Sequence, residues 1–415
     1  MSHELLYILF GALFGLGVAW SVGANDLANV MSTSIGSKAI TVKQAILIAV
    51  IFEFAGGLLG GQGVARTVST GIINFASIHD PVILMRGMLA VLLAAAAWLT
   101  VASFWGTPVS VTQTIVGSIA GFGAIVLGIH AIHWQQILSI LLSWILSPTL
   151  AGLLAFLLFQ SIQHFIFGTE HPLNSAKRVI PYYLLLLGII LSVMIVLKAL
   201  HHFSLLPHTK HNFLVVIFCS LLIWVIGQWL LRQINYEPEM PHRLQFIYIE
   251  RMFALLMVLT AGAMVFAHGS NDVAIAVGPV FSIVAIAKDS IQYSHFTGEF
   301  WLIMTFGCLA VVVGFLTYGR KVIMTVGSGI TALTPSRAFA ATLAAASTVV
   351  VSTSSGIPVS ATQTLVGAVI GVGLARGIGA LDLGVIRNIF LSWMITLPVG
   401  AGLTIAFYYV LKNFL

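Results

Sequence analysis

GTPVSVTQTIVG (106–117) and GIPVSATQTLVG (356–367) are two nearly identical stretches that lie far apart in a sequence of 415 residues. They share the pattern PVSxTQTxVG, in which Pro108 matches Pro358 and Gln113 matches Gln363. In each copy a glycine and a proline interrupt an apolar run, and hydroxyl and amide side chains follow. The pattern predicts a helix that breaks and then restarts, at equivalent places in two repeats.

The repeat extends on both sides of these stretches. GANDLAN (23–29) and HGSNDVA (268–274) precede them in the same order, and GVARTVSTGII (63–73) resembles RKVIMTVGSGI (320–330). Downstream, LSWILSP (142–148) resembles LSWMITLP (391–398). We therefore predict a first repeat over 1–160, a connecting insert with two membrane spans over 161–245, and a second repeat over 246–415.

The composition is that of a membrane protein. Apolar residues make up 59% of the chain and Asp, Glu, Lys and Arg only 7%, whereas about a quarter of a soluble domain is charged. Apolar spans of about 20 residues, enough to cross a bilayer, recur throughout. The clearest are 5–22, 44–61, 136–159, 181–199, 212–231, 249–267, 300–318 and 389–411. The predicted fold class is an all-α polytopic membrane protein.

The distribution of basic residues predicts the orientation. If the N-terminus lies outside, 12 of the 18 Lys and Arg residues face the cytoplasm, as the positive-inside rule requires. The first repeat then starts outside and the second inside, so the repeats have inverted topology. Broken helices or re-entrant hairpins that meet near the bilayer midplane are typical of such transporters. A parallel duplication, with an even number of crossings between the two starts, is the alternative. We expect a multi-pass protein of the plasma (inner) membrane.

Two connecting segments have little pattern. HHFSLLPHTKH (201–211) holds four histidines, and we predict a solvated loop there, with a metal site or a pH sensor as the alternative. INYEPEMPHR (234–243) is predicted to be a cytoplasmic connector between the repeats. Cys219 and Cys308 both lie in apolar spans, so no disulfide framework is expected.

The two PVS stretches are the predicted binding site for an anion. Ser110 and Ser360 are placed to cap the restarted helices, and proline is favourable at a first helical position. Free N–H groups and the helix dipole at such an N-terminus bind anions. Exposed backbone is tolerated at membrane depth only where it lines protein or a water-filled cavity. The alternative is a proline-kinked helix packed through small residues. The predicted substrate ligands are Ser110, Val111, Thr112, Gln113, Thr114, Ser360, Ala361, Thr362, Gln363 and Thr364.

Three acids lie deep within apolar segments, where a carboxylate is costly and functional by default. Asp26 and Asp272 follow asparagines in the paired Asn-Asp motifs, and Glu53 lies in AVIFEFAGG. Their oxygens, with nearby amides, suit a hard cation such as sodium; a purely structural hydrogen-bonding role is the alternative. Gly278-Pro279, downstream of Asp272, is a predicted helix break. The predicted cation ligands are Asn25, Asp26, Asn29, Glu53, Asn271 and Asp272.

The sequence resembles the inorganic phosphate transporter (PiT) family, which includes sodium–phosphate symporters. The resemblance lies in GANDLANVMSTSIGSKAITVKQA, in IERMFALLMVLTAGAMVFAHGSNDVAIAVGP and in both PVSxTQTxVG stretches, and it covers nearly the whole chain. It implies an anion held between two hairpin tips, sodium ions beside the anion, and alternating access. The expected partners are inorganic phosphate, sodium ions as co-transported ligands and the lipid bilayer, with a homodimer as an option. No nucleic acid and no cofactor are expected.

Three departures from the family pattern bear on coupling and specificity. Gln113 and Gln363 stand where many members carry histidine, and 87–107 and 338–357 contain no acid where many members have one. Ile275 ends the second Asn-Asp motif, where asparagine is frequent. Proton coupling and one cation ligand are therefore open, as is sulfate, which related permeases carry.

Charge favours a cation-coupled transporter. No Lys or Arg lies within 23–37, 107–118, 268–280 or 357–368. Two ionised aspartates and a divalent anion would bring about four negative charges together, against about half a positive charge from each helix N-terminus. The predicted function is a sodium-coupled phosphate symporter, with a sulfate permease or proton-coupled phosphate transporter as alternatives. A channel is also an alternative, as is an intramembrane enzyme, although HExxH and GxSxG are absent from the sequence.

Overall fold

A computed structural model describes residues 3–74, 80–196, 209–234, 241–288, 298–319, 322–323 and 330–415 of the chain. Helices dominate these residues. Their bounds are α1 His3–Val22, α2 Ala28–Gly36, α3 Val42–Gly60, α4 Gln62–Arg66, α5 Pro81–Trp105, α6 Val111–Phe122, α7 Trp134–Ile162, α8 Pro172–Ile195, α9 Thr209–Arg232, α10 His242–His268, α11 Ala274–Ala287, α12 Gly298–Tyr318, α13 Pro335–Ser354, α14 Ala361–Ala375 and α15 Leu383–Phe414.

The predicted membrane fold is confirmed. Within the described residues, nine helical segments are long and apolar enough to cross a membrane. Their outward faces carry large apolar side chains such as Leu153 and Met394, which are more than half exposed, as expected for contact with lipid. The chain is an integral, multi-pass membrane protein.

Each PVS stretch is the turn of a re-entrant hairpin. An antiparallel bridge joins Ile73, before α5, to Ile132, after α6. In the second hairpin the N–H of Asp382, after α14, donates to the carbonyl of Ile330, before α13, at 3.0 Å. Both hairpins therefore return to the side on which they began. We call residues 106–114 tip 1 and residues 356–364 tip 2.

The two halves exchange their hairpins. Helix α6 packs against α15, the last helix of the second half, and α14 packs against α7, the last long helix of the first. The same exchange joins α5 to α15 and α13 to α7. This reciprocal packing agrees with the predicted repeat. The repeat boundaries and the inverted orientation across the membrane stay predictions.

Small residues bring the backbones of α1 and α12 into contact. A Cβ on Gly23 would lie 1.8 Å from the carbonyl oxygen of Val311, and a Cβ on Gly314 would lie 1.8 Å from that of Trp20. No side chain fits at either position. Such close approach of helices through glycine is typical of membrane proteins, where dispersion contacts replace the hydrophobic effect.

The equivalent contact recurs between α3 and the end of α10. A Cβ on Gly56 would lie 2.1 Å from the carbonyl oxygen of Phe266, and a Cβ on Gly269 would lie 2.4 Å from that of Glu53. The two contacts pair Gly23 with Gly269 and Gly56 with Gly314, so Val311 takes the place that Glu53 has in the first half.

The Asn-Asp motifs lie inside continuous helices. A π-helical turn, Gly23–Leu27 or Gly269–Val273, joins α1 to α2 and α10 to α11. The predicted apolar spans 5–22 and 249–267 are therefore parts of longer helical segments, Glu4–Gly36 and Leu244–Ala287. The break predicted at Gly278-Pro279 is wrong, because α11 continues through Pro279. A proline removes only one backbone hydrogen bond, and membrane helices tolerate it where neighbouring helices surround it.

Three predicted features lie partly outside the described residues. Residues 201–208 of the histidine-rich segment and 235–240 of the connector are not among them, nor is most of 320–330. The predictions for these segments stay predictions.

Gly314→Ala is expected to destabilise the protein, because its methyl group would push α1 and α12 apart; overpacking of this kind costs about 1–3 kcal/mol or more. The thermal unfolding midpoint of the purified protein in detergent measures the effect. Gly402→Ala is the matched control, since a Cβ there meets nothing within 4 Å. Equal midpoints for the two variants would contradict the proposed close packing.

Candidate functional site

Serine caps start both tip helices, as predicted. Ser110 Oγ accepts a hydrogen bond from the N–H of Gln113 at 3.2 Å, and Ser360 Oγ accepts one from the N–H of Gln363 at 3.2 Å. The two caps have matching geometry, so the repeat extends to the hydrogen bonds at the start of each helix.

A left-handed glycine turns the chain before each tip. Gly106 has φ 71° and Gly356 has φ 72°, values that other residues adopt only with strain. Pro108 and Pro358 follow in the extended break, two residues before the capping serine. Val111 and Ala361, directly after the capping serines, are the first helical residues, so the prolines lie before the caps and not at the first helical position.

The motif asparagines hold the backbone of the tips. Asn25 Nδ2 donates to the carbonyl of Thr107 at 3.0 Å, and Asn25 Oδ1 accepts from the N–H of Val109 at 3.1 Å. Asn271 makes the two equivalent hydrogen bonds to a single residue. Asn271 Nδ2 donates to the carbonyl of Val359 at 2.7 Å, and Asn271 Oδ1 accepts from the N–H of Val359 at 3.2 Å. An amide has a donor and an acceptor, which suits backbone that belongs to no helix.

Asp26 joins the two tips. Its Oδ2 accepts from the N–H of Val111, the first residue of the tip 1 helix, at 3.2 Å, and its Oδ1 accepts from Thr362 Oγ1 in tip 2. A carboxylate is favourable at a helix N-terminus. Thr112 Oγ1 completes the contact by donating to the carbonyl of Val359 at 2.7 Å. The first N–H of the tip 1 helix is thus engaged by a protein carboxylate and is not free, contrary to expectation.

Glu53 and Asp272 lie beside a histidine that the sequence analysis did not select. His268 Nδ1 lies 2.7 Å from Glu53 Oε1, and His268 Nε2 lies 3.9 Å from Asp272 Oδ2. All three side chains are buried. The repeat relates His268 to Val22 of the first half and Glu53 to Val311 of the second, so this titratable pair occurs at one of the two equivalent contacts only. The signal was present in the sequence, since histidine directly precedes the second Asn-Asp motif.

Several buried polar atoms at the site have no partner, which is costly and points to a missing ligand. Those near the Asn-Asp motifs are Asn29 Oδ1 and Nδ2, Glu53 Oε2, Asp272 Oδ2 and His268 Nε2. Among the described residues no group of three or more His, Cys, Asp or Glu side chains has the arrangement of a metal site. A cation site here must therefore include amide or backbone oxygens, as the prediction for Asn29 requires.

The ten predicted substrate ligands are brought together and buried. Thr114 and Thr364 differ from the rest, because their hydroxyls donate to the carbonyls of Ser110 and Ser360 and so close the first helical turn. The side-chain oxygens of Gln113 and Gln363 have no partner. Whether these residues bind substrate, and whether the six predicted cation ligands bind sodium, stay predictions.

Comparison with known proteins gives a consistent result. Residues 22–404 match the model of the phosphate transporter family. A protein of Haemophilus influenzae named "Putative phosphate permease" is 45% identical over 406 residues, which cover 97% of this chain and 96% of that protein. A relative of the same name from Pyrococcus horikoshii is 39% identical over 395 residues, 95% of each chain. A solved structure, "The sodium-dependent phosphate transporter", is 36% identical with a TM-score of 0.90 over 99% of this chain and 100% of that one.

Asn271→Ala is expected to lower the thermal midpoint of the ligand-free protein, because the N–H and carbonyl of Val359 lose their partner; each unpaired buried group costs about 1–3 kcal/mol. Asn29→Ala is the control, since the Asn29 amide has no hydrogen bond to lose. It should leave the ligand-free midpoint unchanged but reduce the stabilisation that sodium adds. An unchanged midpoint in Asn271→Ala would show that the amide does not hold the tip.

Proposed function

The chain belongs to the phosphate transporter family, and we propose that it imports inorganic phosphate together with sodium ions by alternating access. The family consists of transporters, so the chain is a transporter and not an enzyme. Coupling to sodium, the direction of transport and the location in the plasma (inner) membrane with the N-terminus outside belong to the proposal. So does the optional homodimer.

The observation that carries the proposal is the meeting of two capped helix N-termini around buried polar groups. Each tip presents a helix N-terminus, a serine hydroxyl and a glutamine amide to an anion, and the helix dipoles add to the attraction. In tip 1 the N–H groups of Val111 and Gln113 are already engaged by Asp26 and by the Ser110 cap. Asp26 already bridges the tips through Val111 and Thr362. Anion binding therefore places a second negative charge beside the carboxylate, within a site that excludes water.

This charge must be compensated, and sodium is the proposed counterion. No Lys or Arg belongs to the tips or to the Asn-Asp motifs. The unpartnered oxygens of Asn29, Glu53 and Asp272 lie on the motif side of the site, and oxygen ligands suit hard cations. The solved relative is named "The sodium-dependent phosphate transporter", and its dependence on sodium supports sodium as the counterion in this chain.

The hairpins provide a physical basis for alternating access. The hydrogen bonds that join a tip to the opposite half include those of Thr112 to Val359, Thr362 to Asp26 and Thr67 to Gly356. Moving one tip away from the other, together with the helix on which its hairpin packs, would expose the anion on the side from which that hairpin enters. In inverted repeats the two hairpins enter from opposite sides, so each controls access to one side.

One observation favours a second candidate, a proton-coupled phosphate transporter. His268 contacts Glu53 and lies close to Asp272, and buried chains of histidines and acids are typical of proton relays in transporters. In this alternative the compensating charge is a proton and not sodium. Sulfate transport is a further alternative, with no structural feature in its favour.

Phosphate uptake into proteoliposomes should require an inward sodium gradient, because the site has no Lys or Arg to offset the anion. Radiolabelled phosphate uptake, measured with sodium and with choline in its place at constant pH, tests this requirement. Uptake that is unchanged in choline but follows a pH gradient would overturn the sodium assignment and support proton coupling.

Asp26→Asn and Asp272→Asn should each reduce sodium-dependent uptake by about tenfold or more, because each removes a buried charge that a cation would balance. Glu170→Gln is the control, since Glu170 is an exposed acid in the segment between α7 and α8. Circular dichroism and size-exclusion chromatography establish that the variants remain folded. Normal uptake with normal sodium dependence in either aspartate variant would assign that residue a structural role only.

A further inference from the structure

A groove of about 1020 Å³ lies between α7, α14 and α15 and reaches the two tips. Its walls and mouth are almost entirely apolar, with exposed side chains such as Ile145 and Met394. Polar groups occur where the groove reaches the tips. Apart from Thr149, whose hydroxyl donates to the carbonyl of Ile145, these polar groups are the amides of Gln113 and Gln363 and the indoles of Trp144 and Trp393.

The two indoles are buried donors without a partner. Trp144 is 7% exposed and Trp393 is 5% exposed, and neither Nε1 atom makes a hydrogen bond. A buried donor without a hydrogen-bond partner lowers the stability of the fold by about 1–3 kcal/mol. By contrast, the indole of Trp134, on the same helix as Trp144, donates to the carbonyl of Ile129 at 3.1 Å.

The unpaired indoles are related by the repeat. Trp144 lies in LSWILSP of α7 and Trp393 in LSWMITLP of α15, the two long helices against which the hairpins pack. Because α14 packs on α7 and α6 packs on α15, each half contributes one indole and one glutamine to the same groove. A chance packing defect would not be expected at both equivalent positions.

Two residues that line the same groove carry unpaired acceptors. Gln113 Oε1 and Gln363 Oε1 are buried and have no hydrogen bond. Residues that line the groove near the tips therefore carry two neutral donors and two neutral acceptors without a partner, all four buried beside the groove. A ligand that satisfies all four must present two acceptor oxygens and two hydroxyl donors.

We propose that Trp144 and Trp393 are direct donors to the phosphate ion held at the tips, with Gln113 and Gln363 accepting from its P–OH. The inference rests on the proposed function and adds the two indoles to the binding site. Dihydrogen phosphate has two unprotonated oxygens for the indoles and two hydroxyls for the two glutamine oxygens, whereas hydrogen phosphate has one hydroxyl, for one of them. Sulfate has no hydroxyl at neutral pH, so it satisfies the donors and leaves both acceptors unpaired.

Selectivity follows from this difference. A site built to accept a hydrogen bond from a ligand strongly rejects an analogue without that donor, because the buried acceptor stays unpaired. The indoles bind oxygen without adding charge, so they strengthen anion binding without replacing sodium as the counterion. Arsenate, which is also protonated, should bind as phosphate does.

Equilibrium binding of radiolabelled phosphate to the purified protein in sodium buffer tests the indoles. Trp144→Phe and Trp393→Phe keep an aromatic ring but remove the N–H together with part of the volume of the indole, so each should raise the Kd for phosphate about tenfold or more, the usual effect of losing a hydrogen bond to a charged group. Trp134→Phe is the matched control and should leave the Kd unchanged, because its indole is exposed and bonded within its own segment.

A second measurement uses the unaltered protein. In a 15N-labelled sample the indole N–H resonances of Trp144 and Trp393, identified by their loss in the Phe variants, should shift when phosphate is added and stay in place when sulfate is added. If the wild type binds phosphate while both Phe variants bind it equally well and neither resonance moves, the inference is overturned and the proposed function stands. If the wild type binds no phosphate at all, the proposed function fails and the inference fails with it.

Discussion

A buried carboxylate between two helix N-termini is the interaction on which the rest of the site depends. Asp26 reaches the backbone of tip 1 and the Thr362 hydroxyl of tip 2, although the tips are about 250 residues apart in the sequence. Inside a membrane this charge is stable only if surrounding dipoles and ions offset it. The Asp26 carboxylate therefore positions the hairpins. Because it is negatively charged, an anion that binds beside it must be accompanied by a cation.

Symmetry supplies the scaffold, and departures from symmetry distinguish the two sides of the site. The asparagine clamps, serine caps, left-handed glycines and glycine contacts occur once in each half. His268 and Glu53, by contrast, form a polar pair at one contact between the halves, where the equivalent contact has Val22 and Val311. A site assembled from two repeats can thus hold one anion symmetrically while treating the ions beside its two aspartates differently.

Much of this arrangement could be predicted from the sequence, because repeated short motifs have strong local signatures. The PVS repeats predicted two broken helices, and the serines predicted their caps. Hydropathy predicted the spans but not the π-helical turns that carry the polar motifs, since a π-helical turn has no clear sequence signal. Pro279 was predicted to break a helix that tertiary packing maintains. The hydrogen bonds between tips could not be predicted, because they join residues from different halves.

His268, Trp144 and Trp393 show a different limit of sequence reasoning. Each lies in a segment that was selected for its repeat, yet an aromatic residue in an apolar helix is ordinarily part of the core. Only the structure shows that the indole N–H groups have no partner and that the histidine lies against a carboxylate.

The most direct test of the central claim is the mutual dependence of phosphate and sodium affinity in the purified protein. The account predicts that phosphate tightens sodium binding by the same factor by which sodium tightens phosphate binding, as linkage requires. Phosphate binding with the same Kd in sodium-free and sodium-containing buffer would contradict it.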